Sequence, residues 1–182
     1  MKKIAVVTLL SAMMVTPAFA ADSGVYIGFN LGSGKPGIVP AAPALSKNSK
    51  AVYGGLIGYQ YNKNLAAEAQ FTGVGQVTDA AGKTAKADTF SVSAVGTVPL
   101  NDSFELFGKL GVASTKTTTS AGFANGGATR TALTYGLGGQ YNVNENVGIR
   151  AGWDRYGVAT TVAGAKVKAN ADVLTVGVVY KF

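Results

Sequence analysis

The sequence predicts an all-β fold: an eight-stranded, antiparallel, up-and-down transmembrane β-barrel with short periplasmic turns and longer extracellular loops. Three observations predict this fold. About eight segments alternate apolar and other residues with a period of two, which is typical of strands. Five charged residues within these segments fall on the faces opposite the apolar ones: Glu68, Glu105, Lys109, Arg150 and Asp154. Short asparagine-rich connections alternate with long ones, as they do in a series of hairpins.

The strands follow one another through the chain with the same alternation. In the first, Val25, Ile27 and Phe29 share a face opposite Tyr26 and Gly28. The apolar faces, strand by strand, are Val25, Ile27, Phe29 and Leu31; Tyr53, Ile57, Tyr59 and Tyr61; Leu65, Ala67, Ala69 and Phe71; Phe90, Val92, Ala94 and Val98; Leu106, Leu110 and Val112; Leu133, Tyr135, Leu137 and Tyr141; Val147, Ile149, Ala151 and Trp153; Leu174, Val176, Val178, Tyr180 and Phe182. A soluble barrel keeps its apolar side chains inside, and charges on the opposite faces would be costly in such a core. The pattern therefore predicts a polar interior and an apolar surface that faces lipid.

The connections predict which end of the barrel faces the periplasm. The tight polar turns are residues 61–64, 100–103 and 142–146, rich in asparagine, which tolerates turn conformations. The four long connections, residues 34–50, 73–88, 115–127 and 161–170, are predicted to be extracellular loops. Aromatic residues beside the tight turns predict a periplasmic girdle. Its members are Tyr59, Tyr61, Phe104, Tyr141, Tyr180 and Phe182.

The first twenty residues and the composition predict where the protein acts. Residues 1–20 combine two lysines, an apolar stretch, and Ala18 and Ala20 around Phe19, which is typical of a secretory signal peptide. The barrel domain would then span residues 21–182. Without the two leader lysines, 14 basic residues face 9 acidic ones, so the formal charge falls from +7 to +5.

Some functions are disfavoured by the composition. The chain contains no cysteine and no histidine, and histidine is the commonest general base and metal ligand. We therefore predict that the protein is not an enzyme and uses no cofactor or metal. Nucleic acid is not expected as a partner despite the basic charge, because the chain is predicted to be exported and to face lipid.

The end of the chain, TVGVVYKF, carries the strongest resemblance to a known family. Together with residues 26–28, 58–61 and 107–111, it resembles the OmpA-like small outer-membrane β-barrels over residues 21–182. The resemblance covers the transmembrane barrel only and not a peptidoglycan-binding domain. It implies that the barrel assembly machinery recognises a C-terminal signal. The residues of that implied signal are Thr175, Gly177, Tyr180 and Phe182.

The resemblance also implies a polar cluster inside the barrel at Glu68, Lys109, Gln140 and Arg150. The spacing of the residues independently predicts one pair within it. Glu68 and Arg150 each lie four residues after the asparagine that ends a tight turn, on strands that face each other across a small barrel. Because both strands run away from the periplasm, equal offsets place the two side chains at similar heights. We therefore predict a Glu68–Arg150 ion pair that plugs the lumen, with Lys109 and Gln140 in the same layer.

These observations predict a monomeric integral outer-membrane protein of a Gram-negative bacterium with a mainly structural role in envelope integrity. The interior of an eight-stranded barrel is just wide enough for side chains to fill, which disfavours a wide pore. Two alternatives remain open at this point. One is a narrow porin-like channel for small solutes, helped by inward glycines, and the other is adhesion or partner binding through the extracellular loops.

Basic residues cluster in and beside the long connections, where Asp79 and Asp88 oppose them. They predict an electropositive outer rim that attracts lipopolysaccharide phosphates, although charges that are simply solvated explain the cluster equally well. The predicted lipopolysaccharide contacts are Lys83, Lys86, Lys116, Arg130, Arg155, Lys166 and Lys168. Outer-membrane lipid, lipopolysaccharide and, during biogenesis, the barrel assembly machinery are the expected partners.

Overall fold

The structure is a computed structural model, and it describes residues 23–35, 50–78, 84–119, 128–162 and 165–182. Within them, eight strands form a closed antiparallel barrel, as predicted. The strands are β1 (Gly24–Lys35), β2 (Lys50–Asn62), β3 (Leu65–Thr78), β4 (Thr84–Pro99), β5 (Phe104–Thr119), β6 (Ala128–Asn142), β7 (Val147–Val162) and β8 (Ala165–Lys181). Each strand pairs with its neighbours in the chain, and β1 pairs with β8 to close the barrel. The predicted signal peptide lies outside the described residues.

The period-two alternation of the sequence corresponds to side chains that point alternately to the outside and to the inside of the barrel. On the outside, Phe29 is 57% exposed and Leu137 is 61% exposed, whereas Glu68 and Asp154 are buried inside. This arrangement is the reverse of a soluble barrel and suits a hydrocarbon environment. No helix among the described residues is long and apolar enough to cross a bilayer.

The outward-facing apolar side chains form a band, here called the apolar band, that ends at polar residues toward the extracellular side. Outward positions become charged at Asp88 on β4, Lys116 on β5, Arg155 on β7 and Asp172 on β8. Below Asp172, residues 174–182 match the roughly 9–11 residues that a tilted strand needs to cross a bilayer. At the opposite edge, the aromatic residues predicted to form the periplasmic girdle are all exposed.

The tight turns are closed by their own asparagine side chains. In each turn, an asparagine Oδ1 accepts a hydrogen bond from the backbone N–H two residues further on. The pairs are Asn62 with Asn64, Asn101 with Ser103 and Asn144 with Asn146, at 2.9–3.0 Å. These local bonds stabilise the tight turns. The tight turns determine at which end of each hairpin the connection between the strands is short.

Three of the four predicted long connections are shorter than predicted, because the strands continue well beyond the apolar band, whereas the connection between Lys35 and Lys50 agrees with the prediction. The clearest case is the predicted connection 161–170, where β7 and β8 pair as far as Val162 with Ala165. Likewise, β5 extends to Thr119 inside the predicted connection 115–127. Threonine and valine favour strands, and an antiparallel ladder above the membrane needs no apolar face. Hydropathy alternation therefore underestimates strand length there.

The end of β8 is fixed on both sides. The Lys181 N–H donates to the Asn146 carbonyl at 2.7 Å, and the Phe182 N–H donates to the Val25 carbonyl at 3.0 Å. The rings of Tyr180 and Phe182 pack edge to face with their centroids 5.0 Å apart. Phe182 therefore continues the β1–β8 ladder one residue beyond the end of β8, and its ring lies beside Tyr180 in the predicted girdle.

Replacing Phe182 with serine should leave export intact and strongly reduce the amount of folded protein in the outer membrane. Serine removes the ring that packs on Tyr180 at the periplasmic interface, where aromatic rings are favoured. Membrane fractionation with heat-modifiability gels measures the folded fraction. Tyr61→Ser is the matched control, since Tyr61 is an exposed aromatic at the same end but away from the terminus. Equal folded amounts of the Phe182→Ser variant and the wild type would contradict this role.

Candidate functional site in the barrel interior

Layers of side chains fill the lumen. The buried apolar cluster nearer the periplasm comprises Tyr26, Leu56, Ala66, Val95, Phe107 and Val179. The cluster nearer the extracellular end comprises Val52, Ala113, Tyr156 and Val173. Along β5 the inward order is Phe107, Lys109 and Ala113, so the charged residue lies between the two clusters. The charges are therefore concentrated at the waist, between the two apolar clusters, and buried threonines such as Thr72 and Thr115 share the rest of the interior with those clusters.

Glu68 is at the centre of the waist. Its Oε2 atom accepts a hydrogen bond from Arg150 Nη1 at 2.6 Å and another from the Tyr26 hydroxyl at 3.1 Å. Its Oε1 atom lies 3.5 Å from Lys109 Nζ, and the Glu68 side chain is only 1% exposed. A carboxylate buried to this degree needs a paired charge. The structure thus places Glu68 and Arg150 in contact, where spacing alone had put them at similar heights.

Arg150 connects the carboxylate to Gln140, another predicted member of the cluster. Its Nε donates to Gln140 Oε1 at 3.0 Å. Its guanidinium also lies over the rings of Phe107 and Tyr26, at 4.5 and 5.6 Å from their centroids. A guanidinium over an aromatic face gains cation–π attraction. These contacts hold the long side chain across the lumen.

Lys109 bridges Glu68 to residues outside the predicted cluster. Its Nζ is 2.9 Å from Asp154 Oδ1 and 3.0 Å from Gln70 Oε1. Gln70 in turn donates to the Tyr156 hydroxyl at 3.3 Å. The period-two alternation of the sequence predicts that Asp154 and Gln70 point inward, but only the barrel register shows that they reach Lys109. We refer to Glu68, Lys109, Arg150 and Asp154, with the amides of Gln70 and Gln140, as the charged layer; its four formal charges sum to zero.

Inward glycines seat the large side chains opposite them. Tyr26 lies across the ladder from Gly58, and Asp154 lies across from Gly136. A Cβ atom added to either glycine would overlap the side chain opposite it. Inward glycines were expected to help a narrow channel by leaving open space. At these positions the space is filled.

The residues predicted to contact lipopolysaccharide have different surroundings. Lys86 and Lys116 are exposed above the apolar band, whereas Arg130 is partly buried beside Gly157. Arg155 faces Asp172 directly across the β7–β8 ladder, with Nε to Oδ1 at 2.6 Å and Nη2 to Oδ2 at 3.0 Å. Lys83 lies outside the described residues, and Lys166 and Lys168 fall within β8.

Comparison with known proteins agrees with the barrel fold. The model of the outer membrane protein β-barrel domain family matches residues 5–182. The chain belongs to this family. It is therefore an outer-membrane β-barrel protein, and the small eight-stranded outer-membrane barrels share its fold. No match to the chain was found among curated protein sequences.

Three solved structures illustrate the fold. Neisserial surface protein A is 15% identical, with a TM-score of 0.69, and the match covers 88% of this chain and 99% of that one. The N-terminal β-barrel domain of Pseudomonas aeruginosa OprF is 16% identical, with a TM-score of 0.61, covering 86% and 97%. Yersinia pestis Ail, the attachment invasion locus protein, is 19% identical, with a TM-score of 0.57, covering 88% and 98%; that structure holds the heparin analogue sucrose octasulfate.

Proposed function

We propose that the protein is a non-conducting outer-membrane barrel whose main role is structural support of the cell envelope. The observation that supports this role is the charged layer, which crosses the lumen between two buried apolar clusters. Hydrated ions would have to displace Arg150 and Lys109 from their carboxylates and then cross an apolar cluster. The zero net charge of the layer also leaves no excess charge that would attract one type of ion.

The wild-type protein should give no steady ion current after reconstitution in planar lipid bilayers. The double variant Glu68→Ala with Arg150→Ala removes the central pair, leaves the net charge unchanged, and should show measurable channel openings. Arg155→Ala with Asp172→Ala is the matched control, because that pair lies outside the barrel. A stable open-channel current in the wild type would overturn the structural role in favour of a narrow solute channel.

Anion binding at the extracellular rim is a second candidate function, favoured by the exposed ammonium groups of Lys86 and Lys116 above the apolar band. Both lie on outward faces at the height expected for outer-leaflet headgroups. Phosphate groups of lipopolysaccharide are the expected ligand, and such contacts are electrostatic and weakened by salt. Arg155 contributes less to this anion binding than the sequence predicted, because its Nε and Nη2 atoms already donate to Asp172.

Lys86→Gln combined with Lys116→Gln should reduce the lipopolysaccharide that co-purifies with the folded barrel at low salt. Lys63→Gln, in a periplasmic turn, is the control and should retain wild-type amounts. Addition of sucrose octasulfate tests whether sulfated saccharides compete for the same rim. Unchanged lipopolysaccharide in the double variant would favour charges that are merely solvated.

A further inference from the structure

Asn30 is a polar group that the charged layer leaves without a partner. The residue is 7% exposed, and its Oδ1 atom has no hydrogen-bond partner among the described residues. It faces inward from β1 and lies across the ladders from Gly54 on β2 and Gly177 on β8. Leaving a buried amide unsatisfied costs free energy, and such groups in folded proteins are normally satisfied by protein or by ordered water.

A small cavity adjoins Asn30. Its volume is about 10 Å³, and Asn30, Lys109, Arg150, Asp154, Thr175 and Gly177 are among the residues that line it. A volume of about 10–15 Å³ accommodates one water molecule, and a buried water needs two to four polar partners. The lining supplies an amide, a hydroxyl and charged groups of both signs, beside apolar side chains that include Leu56, Phe107 and Val179. Size and polarity together therefore suit a single small polar molecule.

We propose that this cavity is a binding site for one ordered water molecule that satisfies Asn30 and joins it to the charged layer. The occupant is neutral, because the charges of Lys109 and Arg150 balance those of Glu68 and Asp154 and leave nothing for an ion to compensate. Water fits either orientation of the amide, since it donates to Oδ1 and accepts from Nδ2. The water links Asn30 on β1, at the seam where the barrel closes, to the residues of the charged layer on β5 and β7.

Nuclear magnetic resonance of the folded protein in micelles tests the site directly. The Asn30 side-chain amide should give cross-relaxation peaks with a long-lived water, in both laboratory-frame and rotating-frame experiments. The exposed turn residue Asn62 should give only the signature of fast-exchanging solvent. Absence of a long-lived water at Asn30 would overturn the proposal.

Asn30→Leu, which keeps the approximate size of the side chain, gives an independent test by urea unfolding. If a water satisfies the amide, leucine removes those hydrogen bonds, and the urea midpoint should stay the same or fall. If the amide is unsatisfied, leucine removes a penalty and the midpoint should rise, which would contradict the site. A bromide titration at constant ionic strength distinguishes an anion from water, because only an anion site makes the wild-type midpoint depend on bromide.

Discussion

Replacing Arg150 with methionine should lower the free energy of unfolding by about 3–5 kcal/mol, the cost of leaving one buried ion-pair partner without the other. Glu68 would keep the Tyr26 hydroxyl and a Lys109 ammonium 3.5 Å away, but it would lose its shortest bond. The guanidinium contacts with Gln140 and Phe107 would also disappear. The layer would then carry one uncompensated negative charge between apolar clusters.

A double-mutant cycle separates the pair from these secondary contacts. Glu68→Gln, Arg150→Met and the double variant are unfolded with urea in lipid or detergent, and the double variant should lose less than the sum of the single losses. The exterior pair of Arg155 and Asp172 is the matched control, since its shortest bond is also 2.6 Å but its side chains are more than one-third exposed. Its removal should change the unfolding free energy far less. Additive losses within error in the interior cycle would exclude direct coupling.

Replacing Gly32 with alanine should prevent efficient closure of the barrel or, where the variant folds, destabilise it at the upper end of the roughly 1–3 kcal/mol typical of overpacking. A Cβ at Gly32 would overlap the carbonyl oxygen of Leu174 and crowd the backbone of Thr175 across the β1–β8 seam. These neighbours are backbone atoms held in a ladder, so they cannot rotate away as a side chain can. The smallest possible side chain is therefore already too large.

Gly96→Ala is the matched control for this experiment. Gly96 faces outward on β4, and a Cβ added there has nothing within 4 Å. Alanine at Gly96 should leave the barrel unchanged, or stabilise it slightly by restricting the unfolded chain. Heat-modifiability gels report the folded fraction, and urea midpoints report stability. If the two alanine variants have the same folded fraction and urea midpoint, steric crowding at the seam is not the reason for a glycine at position 32.

The sequence determined the barrel because period-two alternation depends only on local geometry. Every outward residue of β1, from Val25 to Leu31, could be assigned by parity once one face was recognised as apolar. The tight turns were also predictable, since asparagine closes them with bonds to backbone groups two residues away. The height of Glu68 relative to Arg150 followed from counting residues after two such turns.

The tertiary structure determined the side-chain contacts that counting residues along the chain does not predict. Asp154 and Gln70 point inward by parity, but whether they meet Lys109 depends on strand stagger around the closed barrel. The same register places Asp172 opposite Arg155, which turns a predicted lipopolysaccharide contact into half of an ion pair. Sequence thus fixed the face on which each side chain lies, because that choice is local. Partners across the lumen and along the ladders depended on closure, which brings together residues far apart in the chain.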